Sequence, residues 1–466
     1  MAVPKEQVSD YTHFIQLPLK FVACWEWFPN TDKEYKIILN NIYLAIVLFV
    51  LLNFTVTLIV NLYTEWVDTM NSLDKLADGL PLIVSLAVVI YFAFYRKELY
   101  DLVDFMNENF KFHSARGLTN MTMEASYASA KKFAYVYTAC TLFSVTMYVT
   151  LPMIIHLWTK EPLQNWAYMD IAQTPYFLMT FLRQCLAQAF VGLAVGQLGV
   201  FFAANSILLC GQLDLLCCSV RNARYTGLLE GGVEYNALAR HHQDIVYDER
   251  HNYIYSKTEG KDSLYHYDKK VVNIYDPEFD AATTDALRAC AHVCQVVATY
   301  KDKFEAFVSP LLALRVVQVT LYLCTLLYAA SVKFELITVE YLAAVALDIF
   351  VYCYFGNQII LQASRVSSAA YQSAWHTAGA RARRLLLHIL LANKRAVAVR
   401  AGRFLPMDLH TFVVVSYCPV SNGRVARPSS CTLSGVCEQN ATLQRLLTVG
   451  CLRAEVHPSD CSLSGV

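Results

Sequence analysis

The sequence predicts an all-α, polytopic membrane helix bundle, and three observations predict it. The chain of 466 residues is 56% hydrophobic and only 16% charged, whereas an average soluble chain is about 25% charged. Its mean hydropathy is positive, at +0.35. Six apolar segments reach or approach the roughly 20 residues needed to cross a hydrocarbon layer about 30 Å thick. Only helices and closed barrels satisfy the backbone in lipid, and barrels lack such continuous runs.

Residues 1–41 contain Lys5, Lys20, Lys33 and Lys36 but no basic start, apolar centre and small-residue cleavage site. They read as a cytoplasmic amino-terminal segment without a cleavable signal. Residues 42–211 hold the first four spans, at about 42–62, 80–95, 133–155 and 176–209. Residues 212–304 form a long link whose middle, 231–280, is rich in Tyr, Asp, Lys and His with little apolar periodicity, as in a solvated insertion. Residues 305–415 hold the fifth span (307–330), the sixth (337–354) and a basic, amphipathic stretch, and 416–466 form a tail.

Basic residues between spans set the orientation. The link after the second span carries Arg96, Lys97, Lys111, Arg116, Lys131 and Lys132, and the segment after the sixth carries eight Lys and Arg between Arg365 and Arg403. Both are expected in the cytoplasm. The links after the first, third and fifth spans carry only Lys75, Lys160 and Lys333, so they are expected outside. The amino terminus is then cytoplasmic, the reverse of a G-protein-coupled receptor.

Other classes find little support. The 38 basic and 38 acidic residues balance, so no net field recruits nucleic acid. Fifteen cysteines without a C-x-x-C pair indicate neither a disulfide scaffold nor a zinc ribbon. Cys290 and Cys294 share a helix face, yet two thiols with the distant His241, His242 and His251 do not make a four-ligand zinc set. No nucleophile elbow, phosphate loop or H-E-x-x-H helix occurs, so neither an enzyme nor a cofactor or metal is expected. The absence of self-similarity between the halves weakens a transporter reading.

Three features inside the spans carry weight. Gly192 and Gly196 form a G-x-x-x-G step that lets another helix approach closely. Arg183 and Asp348 are costly in lipid and are expected to face protein, water or a partner, more readily in a structural than in a gating role.

At the end of the sixth span the sequence reads Tyr352-Cys353-Tyr354-Phe355-Gly356-Asn357-Gln358, and then Ile359 to Ser367. It continues with Ala369 to Trp375, Arg381-Ala-Arg383-Arg384-Leu385-Leu386-Leu387 and Ala401-Gly402-Arg403-Phe404-Leu405-Pro406-Met407. This block, specific from 341 to 412, resembles the ligand-tuned subunits of the insect odorant receptor family rather than the shared co-receptor. The resemblance implies a plasma-membrane subunit of seven helices, in olfactory sensory neurons. It would assemble with the co-receptor into a heterotetrameric cation channel and be gated by a volatile ligand bound in the outer half. It also implies a pore-lining seventh helix and an assembly anchor, here Tyr352, Tyr354, Phe355, Gly356, Asn357, Gln358 and Trp375. An apolar pocket for such a ligand is expected from Ile83, Leu86, Met147, Tyr148, Leu151, Phe177, Phe181 and Tyr341.

The tail departs from that family. The seventh helix should start after Met407, but Ser416 to Arg424 ends the apolar run with Pro419 and Asn422-Gly423-Arg424, so a full span cannot form. Cys431 to Val436 is echoed by Cys461 to Val466. The expectation is a six-span chain with a cytoplasmic end and a truncated seventh helix, through read-through or a changed frame; the alternative is a genuine variant terminus with its own partner. Asn440-Ala-Thr442 is a glycosylation acceptor only if the tail reaches the lumen, and Asn120-Met-Thr122 is expected to stay unmodified.

Overall fold

The computed structural model describes residues 14–29, 33–64, 69–159, 176–242, 253–258, 273–332, 336–394 and 397–414. Helix α1 covers 14–21. It is followed by α2 (Glu34–Thr64), α3 (Thr69–Phe94), α4 (Arg96–Asn109), α5 (Glu124–Thr159), α6 (Tyr176–Arg221), α7 (Ala223–Glu230) and α8 (Tyr235–His241). Then come α9 (Asp280–Val332), α10 (Leu336–Gln372) and α11 (Ala380–Ala392), with α12 over 409–414. Two small antiparallel pairs join β1 (Met121–Thr122) to the distant β2 (Lys257–Thr258), and β3 (Arg400–Ala401) to β4 (Leu405–Pro406) as a hairpin.

Each of the six apolar segments lies in one of the long helices α2, α3, α5, α6, α9 and α10, the second reaching one residue past Phe94. Among the described residues, four stretches are long and apolar enough to cross a membrane: Glu34–Val60, Phe181–Arg221, Pro277–Leu326 and Val345–Gln372. The pair Gly79–Phe94 and Arg96–Asn109, bent by 69°, offers a fifth. The residue at the bend is Tyr95, whose hydrogen bonds run back to Tyr91 and on to Leu99.

The helices outrun the apolar segments that announce them. Helix α6 has 46 residues, or about 70 Å at the helical rise, more than twice the hydrocarbon thickness. Helix α9 starts at Asp280, inside the stretch expected to be a link, because 281–306 is amphipathic. Its Leu287, Cys290, Val297, Tyr300 and Phe304 are buried at helical spacing, a pattern that a search for continuous apolar runs passes over.

Helix α6 is the axis, with α5 and α10 packed along it more extensively than any other pair. It is apolar on every side, as a helix surrounded by others must be. Aromatic rings fill the space around it: Phe92 and Phe201 lie 5.3 and 5.8 Å from Phe307, and Phe202 lies 5.6 Å from Phe304 and 5.4 Å from Tyr352. By contrast α2 turns Ile42, Ile46, Phe49, Leu52, Val56 and Ile59 outward, each at least half exposed. A lipid-facing helix presents such a row.

One end of the bundle is built by α4, α7, α11 and the loops between them. Arg224, 2% exposed, donates to the carbonyls of Ile274 (3.0 and 2.7 Å) and Asp276 (2.8 Å), to Asp280 Oδ1 (2.9 Å) and to Thr283 Oγ1 (2.9 Å). Gly379 N–H also donates to Asp280 Oδ1, at 3.2 Å, so one guanidinium and one carboxylate join α7, α9 and the start of α11. In the expected insertion, residues 253–258 lie as a strap across the bundle. Asp214 Oδ2 accepts from Tyr255 N–H at 3.1 Å, and Ser126 Oγ donates to the Tyr255 carbonyl. Near α1, burial pushes the Cys24 thiol up to about 12, above its usual range, so it packs as a protonated apolar group.

The β3–β4 hairpin explains the Ala401-to-Met407 block. Gly402 (φ +60°) and Arg403 (φ +67°) both take the left-handed conformation, which glycine adopts without penalty. Their N–H groups donate to the Ser309 carbonyl (3.0 Å) and Ser309 Oγ (2.9 Å), clipping the hairpin to α9. Gly356 meets the segment behind it, where an added Cβ would stand 2.1 Å from the Met407 carbonyl oxygen.

Replacing Arg224 with Leu removes the donor of the Ile274 carbonyl and the charged partner of Asp280, and is expected to cost about 3 kcal/mol of stability. A lowered thermal unfolding midpoint of the detergent-solubilised chain checks this, and an unchanged midpoint contradicts it.

Candidate functional site

Two regions are candidates for function: the polar centre of the bundle, and its end opposite α7 and α11. The centre exists because α6 carries glycines where α5 crosses it. A Cβ on Gly192 would lie 2.2 Å from Val145 Cγ2, and one on Gly196 would lie 2.8 Å from both Thr141 Cγ2 and Thr141 Oγ1. The G-x-x-x-G step thus serves close helix packing, as its spacing predicts. Gly199 extends the ladder by one position, with Tyr137 Oη and Tyr352 Oη at 3.4 and 3.5 Å from the place a Cβ would take. Gln197 Nε2 donates to Thr138 Oγ1 at 3.0 Å, a further polar link between α5 and α6.

Asp348 is at this centre. It pairs with Arg315 of α9, the two side chains being 15% and 5% exposed. Arg315 also donates to Gln318 Oε1, and Tyr137 Oη donates to Asp348 Oδ1 at 3.4 Å. Asp348 therefore faces protein, as its cost in lipid predicts. Arg315 was missed by hydropathy because one arginine hardly lowers the average of the fifth span. The signal that finds it is pairwise: a carboxylate in one span calls for a cation in another. Arg183, the other charge singled out, donates through Nη1 to Asn53 Oδ1 of α2 at 2.7 Å.

The residues expected to line a ligand pocket divide into two groups. Ile83 and Met147, 46% and 49% exposed, lie on the bundle surface, whereas Leu86 is partly buried against the core. Phe181 is half-buried. The side chains of Tyr148, Leu151, Phe177 and Tyr341 lie outside the described set. Two cavities among the described residues each have room for about one water molecule (≈ 10 Å³). One lies beside Arg224 and Trp375, the other beside Trp25 and Asn205, and neither touches these candidates.

The residues expected to join subunits divide as well. Tyr352 is fully buried, Phe355 is 8% exposed and packs on Phe133 at 4.9 Å, and Gly356 backs onto Met407. These three serve packing within the chain. Tyr354 and Trp375 are 37% and 42% exposed, and Asn357 and Gln358 are half-buried. On α11, Ala382, Leu386 and Ile389 are buried while Arg381, Arg383 and Arg384 point outward.

Cys290 and Cys294 do share a face of α9, with Asn393 Nδ2 at 3.3 Å from Cys294 Sγ. His242 packs on Tyr225, and His251 lies outside the described residues. Among the described residues no three His, Cys, Asp or Glu side chains come close enough to hold a metal ion. The tail from 415 to 466 also lies outside the described residues, and with it most of the expected seventh span.

Comparison with known proteins is consistent with this architecture. The family model described as "7tm Odorant receptor" matches residues 73–417. Odorant receptor 85e of Drosophila melanogaster is 24% identical over 83% of this chain and 84% of its own length. Odorant receptor 83a of the same species is 24% identical over 70% and 74%. The olfactory receptor OR5 of Machilis hrabei, solved in complex with eugenol, has the same fold, with a TM-score of 0.67 at 13% identity over 90% of this chain and 97% of that one.

The α5–α6 crossing is directly testable. Gly192→Ala is expected to lower the thermal unfolding midpoint of the solubilised chain by forcing Val145 aside. Adding Val145→Ala should recover most of the loss. Equal midpoints for parent and single variant would contradict the close approach.

Proposed function

The chain belongs to the odorant receptor family of insects, and we propose that it is a ligand-binding subunit that opens a heteromeric cation channel with the shared co-receptor. The observation that carries this reading is the family match across 73–417, supported by the likeness of fold to an insect olfactory receptor. In this account the chain is a receptor in the plasma membrane of an olfactory sensory neuron, not an enzyme. Ligand acts by binding the open state more tightly than the closed one, and shifts the equilibrium only by that difference.

The ligand is a volatile, mostly uncharged molecule held at the end of the bundle opposite α7 and α11. Leu86 and Phe181 are its described candidate contacts, with Tyr148, Leu151, Phe177 and Tyr341 completing the set. Ile83 and Met147 flank this volume from the lipid side. The loops rich in Lys and Arg favour a cytoplasmic amino terminus, which puts α7 and α11 in the cytoplasm, where Tyr354 and Trp375 are available to a neighbouring subunit. The partners in this reading are the co-receptor, in a heterotetramer, the volatile ligand and the bilayer.

A second reading is favoured by Pro419 and Asn422-Gly423-Arg424. In that reading the apolar run of the seventh span is cut short in the sequence, and a subunit without a full pore helix would join the assembly without conducting. Co-expression with the co-receptor, beside a version whose 416–466 segment is exchanged for the seventh helix of a relative, separates the two. Volatile-evoked cation current from the natural chain supports the leading reading, and current from the exchanged chain alone supports the second. An amino-terminal tag stained without permeabilisation would overturn the proposed orientation and revive a G-protein-coupled receptor. Substrate flux without conductance would point to a transporter.

A further inference from the structure

Four helices meet at the bundle centre, and they are not equally bound to one another there. Helices α9 and α10 share the Arg315–Asp348 ion pair, with Gln318 taking a second guanidinium hydrogen. Both side chains are almost wholly withdrawn from solvent, and separating opposite charges in a low-dielectric interior leaves each uncompensated. Helix α5 meets α10 through the uncharged Phe133–Phe355 ring contact and, at Asp348, through one neutral hydroxyl, Tyr137 Oη, at 3.4 Å, well beyond the 2.5–3.0 Å of a strong O–H···O bond.

The surroundings provide room for an exchange at that weak joint. Gly199 of α6 leaves a gap bordered by the hydroxyls of both Tyr137 and Tyr352. Tyr352 is four residues beyond Asp348 on α10, and so lies on the same helix face. A hydroxyl on α10 is therefore positioned to stay beside Asp348 if the one on α5 withdraws.

We propose that α9 and α10 move as one ion-paired unit when the channel opens, that α5 separates from them at the Tyr137–Asp348 contact, and that Tyr137 is the positioning residue that sets the closed-to-open balance. This rests on the gating function proposed above, but its mechanical half does not. The charged joint must outrank the hydroxyl joint in stability whether or not the chain conducts.

The test has two arms. In the first, the purified full chain in lipid nanodiscs is melted. Arg315→Gln and Asp348→Asn should abolish the folded species or lower its midpoint sharply, the exchange R315D/D348R should recover it, and Tyr137→Phe should melt like the parent. A loss with Tyr137→Phe as large as with Asp348→Asn overturns the ranking of the joints.

In the second arm, the chain is co-expressed with the co-receptor, surface expression is matched, and basal currents and currents evoked by a panel of uncharged volatile alcohols, esters, ketones and phenols are recorded. Tyr137→Phe should raise basal current or shift the half-maximal concentration by roughly 5- to 150-fold, the range of ordinary allosteric coupling. Gly199→Ala, whose Cβ fits the resting structure at ordinary contact distance, should melt no lower than the parent yet alter the current. Parent-like currents from both variants overturn the gating role. Absence of current from the parent under every condition would sink the channel reading and this role with it, while the melting arm still decides which joint is stronger.

Discussion

The ion pair between Arg315 and Asp348 is the constraint on which the bundle's arrangement depends. An isolated charge among apolar helices is prohibitively costly, so once Asp348 stands in the middle of one span, a cation from another has to meet it. That requirement fixes the register of α9 against α10. It also brings Tyr137 of α5 and the glycine ladder of α6 to the same level. The pair does not make the bundle more stable than a well-packed apolar contact would. What it does is penalise every arrangement in which the two helices slide apart.

Close approach is the second condition, and glycine provides it. Gly192 and Gly196 bring α5 against α6, while Gly356 lets α10 back onto the Met407 carbonyl. Away from the centre, the same logic of satisfied polar groups is met by Arg224. Its guanidinium is used up by two backbone carbonyls, Asp280 and Thr283. The apolar spans account for the helices being where they are, and these few polar and side-chain-free positions account for their mutual rotation.

Much of this was legible in the sequence, though unevenly. Continuous apolar runs locate all six long helices, because lipid solubility depends on local composition. They do not locate helix ends, since a helix keeps its own hydrogen bonds when its outer face turns polar; hence the extension of α6 to Arg221 and the early start of α9. Asp348 and the Gly192–Gly196 step stood out because their meaning is local. Arg315, Gly199, Arg224 and the strap at 253–258 did not, because each acquires its role from a residue far away in the chain. Of the expected ligand contacts, Ile83 and Met147 lie on the surface, as hydropathy scores lipid-facing and interior-facing apolar residues alike.

Family membership supplies the biological setting, and the polar centre suggests how the proposed gating works in it: a bundle rigid along one seam and separable along another. Both seams follow from Arg315 and Asp348 being a mutually dependent pair. The most direct measurement is the thermal unfolding midpoint, in lipid nanodiscs, of Arg315→Met, Asp348→Leu and the two combined. Each single change, by leaving one buried charge unpaired, is expected to cripple folding, while the double apolar variant folds about as well as the parent. Single variants that melt like the parent would contradict this, since the two charges would then not depend on each other.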